Sequence, residues 1–104
     1  MKTLLPIPAL LFALHANAAC YMPIPETAMP AIPDGASATE ASMVEAQAAV
    51  KTYVSDIEAY LDCRSGDLSA LEHNNLVYNV TLAARSYNAA LSEFRAQQEA
   101  VAGR

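Results

Sequence analysis

Residues 20–63 read CYMPIPETAMPAIPDGASATEASMVEAQAAVKTYVSDIEAYLDC, and the fold depends on how the two halves of this stretch lie against each other. The first half carries Pro23, Pro25, Pro30 and Pro33. Each proline fixes its own φ and biases the preceding residue towards extended backbone, which excludes helix and favours polyproline II. Asp34-Gly35 marks the turn that ends this half. In the second half Met43, Ala46, Val50, Tyr53, Ile57 and Tyr60 recur at spacings of three and four, with Gln47, Val54 and Leu61 widening the stripe. This is the pattern of an amphipathic helix with a broad buried face. From Cys20 to Asp34 a polyproline chain covers about 43 Å at roughly 3.1 Å per residue. A helix from near Thr39 to Cys63 spans about 35 Å at roughly 1.5 Å per residue. The lengths match well enough for the proline segment to run back along the helix as a strap and bring Cys20 to Cys63.

Working outward towards the N-terminus, MKTLLPIPALLFALHANAAC has the parts of an export signal. Lys2 is a short positive region, Leu4 to Leu14 an apolar core, and Ala16-Asn17-Ala18 a small-residue cleavage motif, which predicts a mature chain from Ala19. The apolar run is shorter than the roughly 20 residues that a membrane-spanning helix needs. Asn17 stands where lipid-attachment signals usually carry an aliphatic residue, which argues against a lipid anchor at Cys20. The expected organisation is a signal peptide over 1–18, a proline-rich strap over 19–36 and a helical hairpin over 37–104. Two cysteines in an exported chain are most simply one disulfide, Cys20 to Cys63. The expected compartment is the periplasm or the cell exterior.

Beyond Cys63, Arg64-Ser65-Gly66 predicts a helix stop with Gly66 as a left-handed cap. Ser37 to Glu40 and Ser42 to Glu45 are alternative capping boxes for the first helix, and Ser69 to Glu72 opens the second. Val77, Val80, Ala84, Tyr87, Leu91, Phe94 and Val101 hold a three-four spacing, interrupted by Gln98. A second helix of about 30 residues follows, outlasting the first by two to three turns, and the short connection makes an antiparallel hairpin. The expected fold is all-α: a two-helix hairpin with an N-terminal polyproline-type strap and one disulfide. Tyr53, Tyr60 and Tyr87 are placed to pack against the strap, with their hydroxyls finding polar partners. The alternative is a disordered proline-rich tail, against which Tyr21, Met22, Ile24, Met29 and Ile32 weigh by their apolar character. The layout is similar to the polyproline–helix fold of pancreatic-polypeptide hormones, a likeness of architecture that carries no function.

Without residues 1–18 the chain keeps five cations against eleven acids, a net charge of −6. That weighs against nucleic acid and anionic membrane surfaces as partners. Met22, Met29, Met43 and His73 are irregularly spaced for a copper(I) site, and no metal or cofactor is expected. Cys63 and His73 would make a nucleophile pair only with Cys63 unpaired. Asn79-Val80-Thr81 is an N-glycosylation sequon, read as chance. Asn74, Thr81, Asn88 and Arg95 recur every seven residues, either as donors for strap carbonyls or as a solvated flank.

Ala19-Cys20, Ile32-Pro33-Asp34-Gly35, Ala38-Thr39, Met43, Ala46-Gln47, Val50-Lys51, Tyr53, Tyr60-Leu61 and Cys63 together resemble small exported proteins of proteobacteria. The resemblance covers about half of the mature chain and implies the compartment and the disulfide, with no activity attached. The expected role is protein–protein contact rather than catalysis, by a partner or by self-association. Phe94 and Val101 on the overhanging end of the second helix are the candidate surface. A chaperone-like or apolar-ligand-binding protein is the alternative.

Overall fold

A computed structural model describes residues 28–103. The expected signal peptide, Cys20 and the expected strap as far as Thr27 lie outside the described residues. Two α-helices follow an extended segment, α1 over Glu40–Cys63 and α2 over Ala70–Ala102. They pack on each other as a hairpin through a six-residue connection, and there is no strand among the described residues.

α1 begins on a capping box other than the two expected. Thr39 is the N-cap in extended backbone, its hydroxyl accepting from the Ser42 N–H at 3.1 Å. The Ser42 hydroxyl oxygen accepts from the Thr39 N–H, also at 3.1 Å. Serine at N3 does here what Glu or Gln does in the usual box. At the far end the Arg64 N–H donates to the Tyr60 carbonyl at 2.9 Å. Gly66 is not left-handed. The chain instead closes by turns, with the Asp67 and Leu68 N–H groups both donating to the Arg64 carbonyl. α2 opens on the box the spacing predicts, Ser69 and Glu72 exchanging bonds of 3.0 and 3.1 Å. The Ser69 backbone N–H, with the Ser69 hydroxyl second, holds the Glu72 carboxyl below its ordinary value.

The core is one cluster. Met43, Ala46, Val50, Tyr53 and Ile57 supply it from α1, and Leu76, Ala83, Tyr87 and Ala90 from α2. The α1 stripe is the expected one, except that Gln47 is exposed. On α2 the buried face is turned to the other side of the Val80–Tyr87–Phe94 line. Leu76, Ala83 and Ala90 are buried, while Val77 is 42% exposed.

The segment over residues 28–34 is extended and lies on this core, with Met29 and Ile32 half-buried against it. Ala28 to Pro30 border a groove with Thr52 and Asp56, and Ala31 to Pro33 a second one with Ser42 and Glu45. The segment therefore runs antiparallel to α1. It ends in a turn. The Ala36 N–H donates to Asp34 Oδ1, and the Ser37 N–H to the Asp34 carbonyl, both at 3.1 Å. Gly35 is buried here against the backbone of α2 at Ala90. Gln97 then reaches back, its Nε2 donating to the Gly35 carbonyl at 2.9 Å and the Ala38 carbonyl at 3.4 Å. Within the turn the Gly35 carbonyl accepts only a 3.4 Å bond from the Ala38 N–H, and one Gln97 amide serves both that carbonyl and the Ala38 carbonyl.

Candidate functional site

Tyr53 sits at the centre of the core, 4% exposed, between the strap and the hairpin. Its hydroxyl is buried and has no hydrogen-bond partner. This corrects the expectation that the tyrosine hydroxyls are paired. The ring fills the junction, and the oxygen goes with it at the expense of its solvation. Burial pushes the phenol pKa up from its ordinary value. Tyr60, half-buried one helix turn before the connection, does have a partner. Its hydroxyl accepts from Arg64 Nη1 at 3.2 Å, and the Arg64 guanidinium lies 5.6 Å from the ring centroid. Arg64 also meets Asp67 at 3.5 Å. Tyr87 is buried in the core from α2.

The unpaired hydroxyl makes Tyr53→Phe an informative change. It removes a buried donor that bonds nothing and keeps the ring, so stability should rise by about 1 kcal/mol. Tyr53→Ala empties the junction and should lower it by about 3 kcal/mol. The unfolded phenol ionises near its ordinary value, whereas the folded one stays protonated to higher pH. The Tyr53 contribution to stability is therefore level below pH 10 and is lost as pH rises through the raised folded value. Phe at this position should flatten that alkaline limb. Thermal melts from pH 7 to 11 check both points, and a Phe variant less stable than wild type at pH 7 contradicts the unpaired hydroxyl.

The apolar groove beside Tyr53 has a volume of about 540 Å³ and lies between Met29 and Pro30 of the strap and Ala48, Ala49 and Thr52 of α1. Among the described residues this groove is of a size and lining that could take a small apolar molecule. The soft-metal residues are not brought together. Met43 is buried near the start of α1 and His73 is exposed in the first turn of α2, at the other end of the hairpin, while Met22 lies outside the described residues. Among the described residues no cluster of three or more His, Cys, Asp or Glu side chains could hold a metal ion. Cys63 is the last residue of α1, half-buried.

The every-seventh polar row on α2 is the flank rather than the donor ladder. Asn74, Thr81, Asn88 and Arg95 are all exposed, and the Thr81 hydroxyl donates back to the Val77 carbonyl at 3.0 Å. Gln97 is the residue that bonds the turn carbonyls. It stands seven residues after Ala90, a heptad signal masked by the alanines.

The candidate contact residues divide. Phe94 is half-buried and packs on the core. Val101 continues the core side of α2 beyond the reach of α1, 33 residues of helix against 24, and is 60% exposed. A second apolar set, not foreseen, lies on the outer face of α2. Leu71 is 71% exposed, Tyr78 63%, and Leu82 follows four residues later. Seven- and four-residue steps keep them on one side of the helix. No helix among the described residues is long and apolar enough to cross a membrane. No protein-family model matches this chain, and no similar protein or solved structure is found among those characterised.

Proposed function

We propose that this is a small exported helical protein, periplasmic or secreted, that works through protein–protein contacts and is not an enzyme. The observation that carries this reading is the exposure of Leu71, Tyr78 and Val101 on a hairpin whose core is already filled by other residues. Large side chains left outside a packed core, Leu71 and Tyr78 on the outer face and Val101 on the overhang, favour docking surfaces. The export signal over 1–18 and a Cys20–Cys63 disulfide holding a polyproline-type strap belong to the same reading. It is supported by the extended run of residues 28–34 towards the connection end, and by the lack of any free cysteine among the described residues.

The test is a pull-down from periplasm with wild type, Val101→Asp and a chain ending at Gln97. Val101 is the clean site, because Phe94 also serves the core and its replacement by Asp would unsettle the fold. A specific partner held by wild type and lost from both variants, at unchanged melting temperature, is the expected result. Equal recovery by all three removes the overhang from the reading. The apolar groove beside Tyr53 favours a second reading, a holder of apolar ligands or unfolded clients. Suppression of client aggregation at stoichiometric amounts, lost when Ala49→Glu fills the groove, would put that reading first.

A further inference from the structure

The outer face of α2 has a pattern that the exposed apolar residues alone do not reveal: it is symmetric in position and complementary in chemistry about Ala89. Four residues before Ala89 stands Arg85, and four after stands Glu93. Seven before is Leu82, and seven after is Ala96. Eleven before is Tyr78, and eleven after is Ala100. At about 100° per residue these offsets all fall within roughly 40° of the Ala89 direction, so they share one face. All seven are exposed. Ser86 and Ser92, three residues to either side, keep the flanks small.

We infer that this face is a two-fold contact for a second copy of the chain, with two α2 helices antiparallel and crossing at Ala89. The inference rests on the reading that the protein works by protein contact and names one partner. In an antiparallel pair centred on Ala89, residue 89 − n of one copy faces residue 89 + n of the other. Arg85 then meets Glu93 of the second copy, twice. Leu82 lies over Ala96 and Tyr78 over Ala100, each large side chain on a small one, again twice. This is the self-complementarity that an isologous interface requires. Within one chain Arg85 and Glu93 are about 12 Å apart along the helix, too far to pair with each other. Neither side chain has an ion pair or hydrogen bond among the described residues. The 11-residue spacing from Tyr78 to Ala89 to Ala100 corresponds to about 3.67 residues per turn, so two nearly straight helices stay in contact along the face. Ala89 at the crossing lets the backbones approach closely.

The contact is a single helix face, smaller than a standard stable interface, and a reversible dimer at tens of micromolar is expected. Sedimentation of the protein at low salt measures it. Arg85→Glu and Glu93→Arg each put like charges face to face twice and should weaken association roughly tenfold. The double exchange, Arg85→Glu with Glu93→Arg, restores opposite charges and should return association to near the wild-type value. Leu71 lies 18 residues before Ala89, beyond the end of the opposing helix, so Leu71→Glu should leave the dimer unchanged. Ala89→Cys should give an oxidised dimer joined at residue 89, because helices about 8–10 Å apart bring facing Cα atoms within disulfide range. These residues are exposed, so the variants should keep the wild-type melt. A protein monomeric at several hundred micromolar overturns the inference, while a partner captured in the pull-down would leave the contact function standing. A dimer indifferent to either single charge reversal, or one weakened by both and not rescued by the exchange, uses another face and also overturns it.

Discussion

Gly35→Ala should lower stability by about 3 kcal/mol, at the upper end of what overpacking a close contact costs. The alanine Cβ would collide with the Ala90 carbonyl oxygen and stand 2.7 Å from its carbonyl carbon. The obstacle is helix backbone, so no side-chain rotation relieves it, and the turn must lift from α2. Lifting it breaks the Gln97 bonds to the Gly35 and Ala38 carbonyls. It also loosens Met29 and Ile32 on the core. For a domain of this size the melting temperature should fall by roughly 10–20 °C. Gly35 is not in a left-handed conformation, so glycine is required here for space and not for φ. Gly66→Ala is the matched control. A Cβ there meets nothing within 4 Å and the backbone is not left-handed, so alanine should be neutral or stabilise by about 0.5 kcal/mol. Gln97→Leu should cost about 1 kcal/mol, because the Ala38 carbonyl loses its partner while the Gly35 carbonyl keeps only the 3.4 Å bond from the Ala38 N–H. Combined with Gly35→Ala it should add little, since both act on one turn. A Gly35→Ala protein that melts with wild type would mean that the strap does not dock on α2.

The same contact explains what the sequence could and could not show. The α1 stripe was legible because large apolar residues at three-four spacing stand out from the polar positions between them. Ser69 and Glu72 were legible because a capping box is local. On α2 two heptads flank the line of Val80, Tyr87 and Phe94. One is Val77, Ala84, Leu91 and Gln98, and the other Leu76, Ala83, Ala90 and Gln97. Hydrophobic weight favours the first, and the structure buries the second. Space decides against weight here: the turn at Gly35 needs a small residue beneath it, which Ala90 supplies, and carbonyl partners beside it, which Gln97 supplies. In a helix with so many alanines, a small residue that permits close approach looks like one that merely favours helix. The overhang followed from counting residues, since 33 against 24 leaves an uncovered end. The symmetry about Ala89 becomes visible only once the buried face is fixed, because the outer face is defined by what the core leaves out.

Reducing the proposed Cys20–Cys63 disulfide should have an effect as large as the glycine substitution, by a different route. The bond closes a loop of about 44 residues, for which the chain-entropy account gives roughly 4 kcal/mol of destabilisation of the unfolded chain. A hairpin of this length buries a modest core, and small domains have about 5–10 kcal/mol in total. Losing such a share should lower the melting temperature by roughly 15–30 °C. Unreduced protease digests should contain a peptide joining Cys20 to Cys63. Reductant should produce the drop in wild type and no further change in a Cys20→Ser, Cys63→Ser protein, which should already melt at the lower temperature. The route matters for separating this from Gly35→Ala. The disulfide acts chiefly on the unfolded state, so in the reduced protein the Gln97–Gly35 turn and the Tyr53 junction should persist at low temperature. NMR of the folded baseline should then show the Gln97 side-chain amide protected about as well as in the oxidised protein. The glycine variant, by contrast, should expose that amide even with the disulfide formed. If reduction instead releases the turn at temperatures well below the melt, the strap is held to the helices by the covalent bond and not by its packing, and the close contact at Ala90 is a consequence of the tether.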